Sequence, residues 1–301
     1  MKPEDFPWLC SASEKASNSA QFRHFLLLRA QLMVFFLVTL LTVCSGVLAP
    51  YFKKPLSVAV AIFLGAGIIL TVLASALRFD KTWFDARAVA ESVKTATWRY
   101  IIKGNPFGLD APQPEELFIA ELSEIQNSRP SVRGYLVADS RAKSISDRMR
   151  AIRASDFVNR KAEYLEGRIR DQKNWYGNKA IWNKKRAACW YATILVAQVF
   201  ALVWAILAAA YGPFNFNLAG LLMTTAASFT AWSQAKRHED LTNSYSVASQ
   251  ELLNIESLAE KVADEDTFRQ IIDQAEDAIS REHTMWCAKR NILPIMKKKG
   301  S

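Results

Sequence analysis

The chain has 301 residues, of which 50% are hydrophobic, a mean hydropathy of zero and a net charge of +9. Those averages suit a soluble protein, but the apolar residues are bunched: residues 30–49, 56–77 and 187–235 carry no formal charge. Runs of that length exclude an ordinary soluble core helix. Three histidines at neither metal nor triad spacing, with no phosphate loop, nucleophile elbow or dinucleotide fingerprint, argue against an enzyme and against a bound metal or cofactor.

Residues 1–25 read as a cytoplasmic N-terminal segment. A bilayer core about 30 Å thick takes roughly 20 apolar residues of helix. Residues 30–49 and 56–77 therefore predict one crossing each. Residues 187–235 predict two, 187–211 and 216–235, turning at Gly212-Pro213-Phe214-Asn215. The first run begins too late and is too long for a cleaved signal peptide, and a second run follows it at once. The expected fold is an all-α integral membrane protein, two parallel transmembrane hairpins with long cytoplasmic helices forming a bundle or stalk.

Charge orients it. Only Lys53 and Lys54 lie in the first hairpin loop and no charge lies in the second, whereas the opposite flanks carry Arg23, Arg29, Arg78, Lys81, Arg87, Lys184, Lys185, Arg186, Lys236 and Arg237. The positive-inside rule then places both termini and the middle segment in the cytoplasm, in the bacterial inner membrane if the chain is bacterial. Residues 78–186 hold 22 Lys and Arg against 14 Asp and Glu, while residues 234–301 hold 10 against 12. A surplus of positive charge next to a membrane suits anionic headgroups, and with no recognition motif beside it nucleic acid is not an expected partner. Cys10, Cys44, Cys189 and Cys287 form no C-x-x-C or Cys/His cluster and read as reduced structural thiols.

Between and after the hairpins the pattern is helical throughout. Trp83, Arg87, Ala90, Glu91, Lys94 and Trp98 recur every three or four residues, one face of a helix that stops at Gly104-Asn105-Pro106. Pro114, Glu115 and Glu116 open a short amphipathic helix with Leu117, Phe118, Leu122 and Ile125 as its apolar residues, closed near Arg129-Pro130 and Gly134. Ser144-Ile145-Ser146-Asp147 and Ser155-Asp156 offer N-caps. No proline follows until Pro213, so a stalk over residues 156–186, about 45 Å long at the helical rise, is expected to run into the third membrane helix, with Gly167 and Gly177 its weak points. Beyond the fourth, Leu241, Tyr245, Ala248, Leu252, Ile255 and Ala259 keep helical spacing. Asp264-Glu265-Asp266-Thr267 restarts a helix whose apolar face is Phe268, Ile271, Ile272, Ala275, Ile279 and Trp286, ahead of a basic tail over residues 291–301.

The run Tyr164, Arg168-Ile169, Asp171-Gln172, Trp175-Tyr176, Lys179-Ala180 and Asn183, entering a membrane hairpin directly after Ser146 to Arg153, resembles the SLATT superfamily of bacterial two-helix membrane effectors. The first half resembles another variant of that module, with Trp83, Arg87, Ala90-Glu91, Lys94 and Trp98 after its hairpin. The chain then divides into a first module over 26–110, a linker over 111–155 and a second module over 156–290, whose C-terminal helices occupy 236–290. The resemblance implies a role in bacterial conflict systems, antiphage defence among them, as a pore-forming effector. Its implied partner is a separately encoded nucleotide-second-messenger synthetase or sensor, since no sensing domain is recognisable in this chain.

On spacing alone, Tyr164, Arg168, Asp171, Trp175, Lys179 and Asn183 line one helical face on which Arg168 can pair with Asp171 and Trp175 can stack with a cation. That face suits docking or gating, and equally a fixed interhelical seam. The membrane runs contain no Asp, Glu, Lys or Arg, which argues against an ion-coupled carrier. Small residues recur four apart in them: Ser57, Ala61 and Gly65; Gly67, Thr71 and Ser75; Ala197, Ala201, Ala205 and Ala209; Gly220, Thr224 and Ser228. Such ladders let helices pack closely. Gln198, the one amide deep in the third crossing, is expected to bond across helices or face a pore, and Thr224, Ser228 and Gly65 share that choice. The leading functions are a homo-oligomeric effector whose cytoplasmic bundle gates a pore and a non-conducting scaffold that recruits a cytoplasmic partner; a constitutive small-ion channel differs from the first only in regulation.

Overall fold

A computed structural model describes residues 1–48, 50–138, 140, 142–212, 214 and 216–288, with side chains described as far as residue 280 apart from that of residue 50. Among them there is no strand. The helices are α1 (Trp8–Val47), α2 (Pro50–Leu77), α3 (Phe79–Ile101), α4 (Pro114–Asn127), α5 (Asp147–Ala154), α6 (Phe157–Tyr164), α7 (Asp171–Tyr211), α8 (Leu218–Lys236), α9 (His238–Lys261) and α10 (Glu265–Ala288). A π-helical turn, Leu165–Arg170, joins α6 to α7.

The expected punctuation is present. Ser146 accepts from the Met149 amide at 3.2 Å and Asp156 from the Asn159 amide at 2.8 Å, capping α5 and α6. Asp264 accepts from the Thr267 amide at 2.7 Å, so the acidic cluster starts α10. Pro114 opens α4, which buries Phe118, Leu122 and Ile125; Leu117, counted with them from the sequence, is instead 38% exposed. It lies one residue off the stripe and faces away from the packed side. The helix ending at Tyr211 and the one beginning at Leu218 bracket the expected turn, of which Pro213 and Asn215 lie outside the described residues. The side chain of Trp286 and the basic tail also lie outside them.

The two halves repeat one plan: an apolar hairpin, an arginine in the left-handed region, then an amphipathic helix. Arg78 (φ 42°) separates α2 from α3 and Arg237 (φ 53°) separates α8 from α9, the latter returning its amide to the Ser233 carbonyl at 3.0 Å. A left-handed residue closes a helix by bonding back to its last carbonyls, a place glycine usually takes. Arginine there costs about 1–2 kcal/mol of backbone energy but puts a guanidinium at the end of the apolar run.

The chain folds into two compact units, each assembled from segments distant in sequence. The first comprises Met1–Gln21, Asp80–Ala180 and the chain from Asn243 onward. Its core is built on α3, in which Ala86, Val89, Val93, Ala96, Tyr100 and Ile101 are all buried. Tyr100 stacks on Phe118 with ring centroids 4.6 Å apart and Phe107 packs edge-on to both, at 5.8 and 5.7 Å. Arg153 lies over the Tyr100 ring at 4.7 Å and donates to the Tyr100 and Phe107 carbonyls. Leu252, Ala259, Phe268, Ile272 and Ala275 close the core from α9 and α10, as their spacing predicts. The start of α1 joins it through Leu9, Cys10 and Ala16, about twenty residues ahead of the first apolar run.

The second unit, Phe22–Phe79 with Ile181–Thr242, holds the apolar hairpins. Three helical stretches of the chain, Trp8–Val47, Tyr51–Ile101 and Phe157–Tyr211, are long and apolar enough to cross a membrane, and at most 11% of each apolar window is buried. Large hydrophobic side chains such as Ile62, Ile68, Val72, Phe200, Leu202 and Ile206 point outward and are more than half exposed. An apolar sheath of this extent is the surface of a protein solvated by lipid. This is an all-α membrane protein. Helix α8, diluted by Thr224, Thr225, Ser228 and Thr230, is not among the stretches apolar enough to cross by composition.

Small residues carry the packing inside this unit. Gly67 of α2 leaves only 3.4 Å between a Cβ at that position and Val34 of α1, and Thr71 accepts from Gln31 at 3.4 Å. Thr39 of α1 donates to Thr224 of α8 at 3.3 Å, while Ala201 and Ala226 are buried. Ser228 is partly buried beside them.

Gly167 marks the tightest approach in the first unit. A Cβ there would sit 2.9 Å from the Trp98 ring, whereas at Gly177 it would meet only Ser249 Oγ at 3.4 Å. Gly167→Ala is therefore expected to lower stability by about 1–3 kcal/mol through overpacking. Gly177→Ala should be neutral or stabilise by up to about 1 kcal/mol. Thermal unfolding of the two variants side by side checks the contrast.

Candidate functional site: a buried ion pair and a polar-aromatic cavity

The stalk face drawn from the sequence divides at the π turn. Tyr164, Arg168, Tyr176, Ala180 and Asn183 are buried, whereas Asp171, Trp175 and Lys179 are exposed. A π turn contains one residue more than an α turn, so every position after it moves about 100° around the axis. The buried stripe accordingly passes from Arg168 to Tyr176 and Ala180 rather than through Asp171, Trp175 and Lys179.

The same shift corrects the expected Arg168–Asp171 pair. Arg168 donates to both carboxylate oxygens of Glu276 on α10, Nη2 at 2.7 Å and Nε at 3.0 Å, with both side chains almost fully buried. Tyr164 donates to the same carboxylate at 3.0 Å and Thr95 of α3 at 2.8 Å. Burial works against the Arg168 charge, but Glu276 outweighs it and raises the guanidinium pKa; burial first, then Glu276, pushes the Tyr164 phenol well above its usual range. Asp171, by contrast, accepts from Gln172 at the surface. Beside this cluster Arg170 reaches Glu256 and Glu260 at 2.6 Å each, and Lys173 reaches Glu256 at 2.6 Å. The π turn is thus tied to α3, α9 and α10 together.

A cavity of about 350 Å³ opens among the start of α1, α3 and α7, with Ile279 of α10 also in its lining. It joins most of the first motif singled out in the sequence, Trp83, Arg87, Ala90, Glu91 and Lys94, to three residues of the second, Gln172, Trp175 and Tyr176. Trp98 is not part of it, packing on Phe6 and Tyr164 with centroids 6.4 and 5.8 Å away. Residues that sequence reasoning did not single out complete the walls: Glu14, Ser17, Asn18 and Gln21 of α1. Their only sequence signal was a helical stretch ahead of the first apolar run.

Lys94 sits between two carboxylates, its Nζ 2.8 Å from Glu14 and 3.4 Å from Glu91. Burial pulls its pKa down, but the two acids outweigh burial and hold the ammonium above its ordinary value. Trp175, 38% exposed, packs edge-on against Tyr176 and Tyr245, and Lys179 lies 5.8 Å over its ring, the cation contact expected of it.

In the second unit Asn183 is buried and its Oδ1 lies 2.7 Å from His238 Nδ1. Four of the basic residues flanking the apolar runs rest on aromatic rings: Arg23 over Phe79 at 5.6 Å, Arg29 over Trp232 at 5.0 Å, Arg186 over Trp182 at 5.3 Å and Lys236 over Phe25 at 3.5 Å. Cations stacked on aromatics at the ends of apolar helices are the composition of a membrane interface. Charge placement was legible in the sequence; the rings beneath Arg23, Arg29 and Lys236 were not, because they lie on other helices, whereas Trp182 precedes Arg186 by one turn of α7. Gln198 is exposed on α7, and Gly65 of α2 has nothing within 4 Å of a Cβ position.

Apolar hairpins followed by amphipathic helices define a membrane protein built of two similar helical modules. Residues 7–161 match SMODS and SLOG-associating 2TM effector domain 3, and residues 164–286 match SMODS and SLOG-associating 2TM effector domain 1. The chain belongs to the SLATT family and carries two of its domains in tandem. No curated protein and no solved structure matches it.

Proposed function

We propose that this chain is a membrane effector of a bacterial conflict or antiphage system that assembles as a homo-oligomer and opens a pore in the inner membrane when a separately encoded, nucleotide-sensing partner engages it. The effector character follows from the family; what supports a pore is the exposed amide of Gln198 on an otherwise apolar helix face. Hydrocarbon offers an amide no hydrogen bond, so Gln198 needs either another subunit or water. The exposed Ser57 and Ala61, with open space at Gly65, leave a second small-residue face for close packing between copies.

In this reading α8 is the fourth crossing, with the Thr225 and Thr230 hydroxyls bonded within the helix and Thr224 accepting from Thr39 of α1, and both termini are cytoplasmic on the positive-inside rule. Nothing in this reading requires catalysis by the chain. A scaffold is the second reading, favoured by the exposed Asp171, Trp175 and Lys179 at the beginning of α7.

Reconstitution into liposomes carrying a potassium gradient tests the pore. Flux should rise more steeply than linearly with the protein-to-lipid ratio, and Gln198→Leu should reduce it by about tenfold, the cost of roughly one polar contact. Vesicles that stay tight at every ratio would rule the pore out.

A further inference from the structure

The lining of the cavity in the first unit points to a ligand. We propose that it binds a small, uncharged heteroaromatic molecule of the nucleoside class. Its volume of about 350 Å³ admits one such molecule, at the lower end of the usual range for small-molecule sites.

Three kinds of side chain meet there. Trp175, 38% exposed, supplies aromatic surface, which takes up the face of a planar ring whatever its identity, and the buried Trp83 and Tyr176 lie in the wall beside it. Asn18, Gln21 and Gln172 supply amides, each both donor and acceptor, the complement to a base edge that alternates the two. The charges cancel: Glu14 and Glu91 oppose Arg87 and Lys94, and Lys94 is already held by both acids.

That cancellation selects the ligand. A nucleoside triphosphate would bring several negative charges to two carboxylates, and a quaternary ammonium, which aromatic walls and acids alone would welcome, meets an arginine and a lysine. A neutral ring with donors and acceptors on its edge meets neither penalty. Because the walls come from both SLATT domains within one compact unit, such a ligand would bridge α1, α3 and α7.

Binding is independent of the pore reading, since it is measured in detergent micelles where flux is not read. Calorimetric titration of the full chain with adenosine, guanosine and uridine should show one site per chain for at least one of them. ATP and tetramethylammonium should bind at least about tenfold more weakly. Trp175→Ala and Gln172→Ala should each weaken the nucleoside by about tenfold or more, while Trp182→Ala, at a tryptophan outside the cavity, leaves it unchanged, with circular dichroism confirming helix content in all three. No binding of any of the three nucleosides at millimolar concentration would overturn the proposal. So would tighter binding of ATP or tetramethylammonium, or nucleoside affinity indifferent to both cavity variants.

Discussion

Glu276→Ala is expected to destabilise the first compact unit by about 3–5 kcal/mol, because it strands the buried Arg168 guanidinium without its counter-charge. Tyr164 and Thr95 lose their acceptor in the same step. Arg168→Ala should cost about as much, for the mirrored reason that it leaves a buried carboxylate. Since desolvating both charges is itself expensive, the paired replacement Arg168→Met with Glu276→Leu should recover most of the loss. Chemical unfolding of the detergent-solubilised chain, followed by helical circular dichroism, measures all three. A double variant no more stable than the single ones would show that the pair contributes through the geometry of the π turn rather than through charge.

Cys10 should be almost inert. Burial, only partly opposed by the charge of Lys94, pushes its thiol up to about 12 from 9.0. Thiolate is the reactive form, so at pH 8 alkylation should be about a thousandfold slower in the folded chain than in the denatured one, before access is considered. The same shift is linked to stability. A folded-state pKa above the unfolded value means that the contribution is complete below pH 9 and is lost as pH rises towards about 12. Three units correspond to about 4 kcal/mol. Cys10→Ala should flatten that alkaline decline, and a pH series of unfolding midpoints for the two proteins checks it.

Much of the fold could be read from the sequence because membrane helices announce themselves by length and absence of charge, and because Pro114, Ser146, Asp156 and Asp264 mark helix starts by local chemistry alone. What could not be read depends on partners remote in the chain. Arg168 was assigned to the nearest acid on its own helix, but its carboxylate lies 108 residues away, and a π turn in between rotates Asp171 out of reach. Periodicity carries no sign of a π turn: Leu165–Arg170 contains no proline, and Gly167 reads as a weak point until Trp98 is seen against it. The first twenty residues looked like a leading segment because they mix polar and small side chains, yet they carry one wall of the cavity. The residues of both motifs were identified, but which of them meet at one cavity, with Trp98, Tyr164, Arg168 and Asp171 among those left out, is a property of the packing.

The most direct test of the account is membrane potential in bacteria expressing this chain from a tight promoter, alone and with its native genetic neighbours, at verified membrane insertion. Rapid depolarisation is expected, abolished by deleting both hairpins and weakened by Gln198→Leu. A potential left intact in both settings would contradict the pore and leave a membrane scaffold in its place.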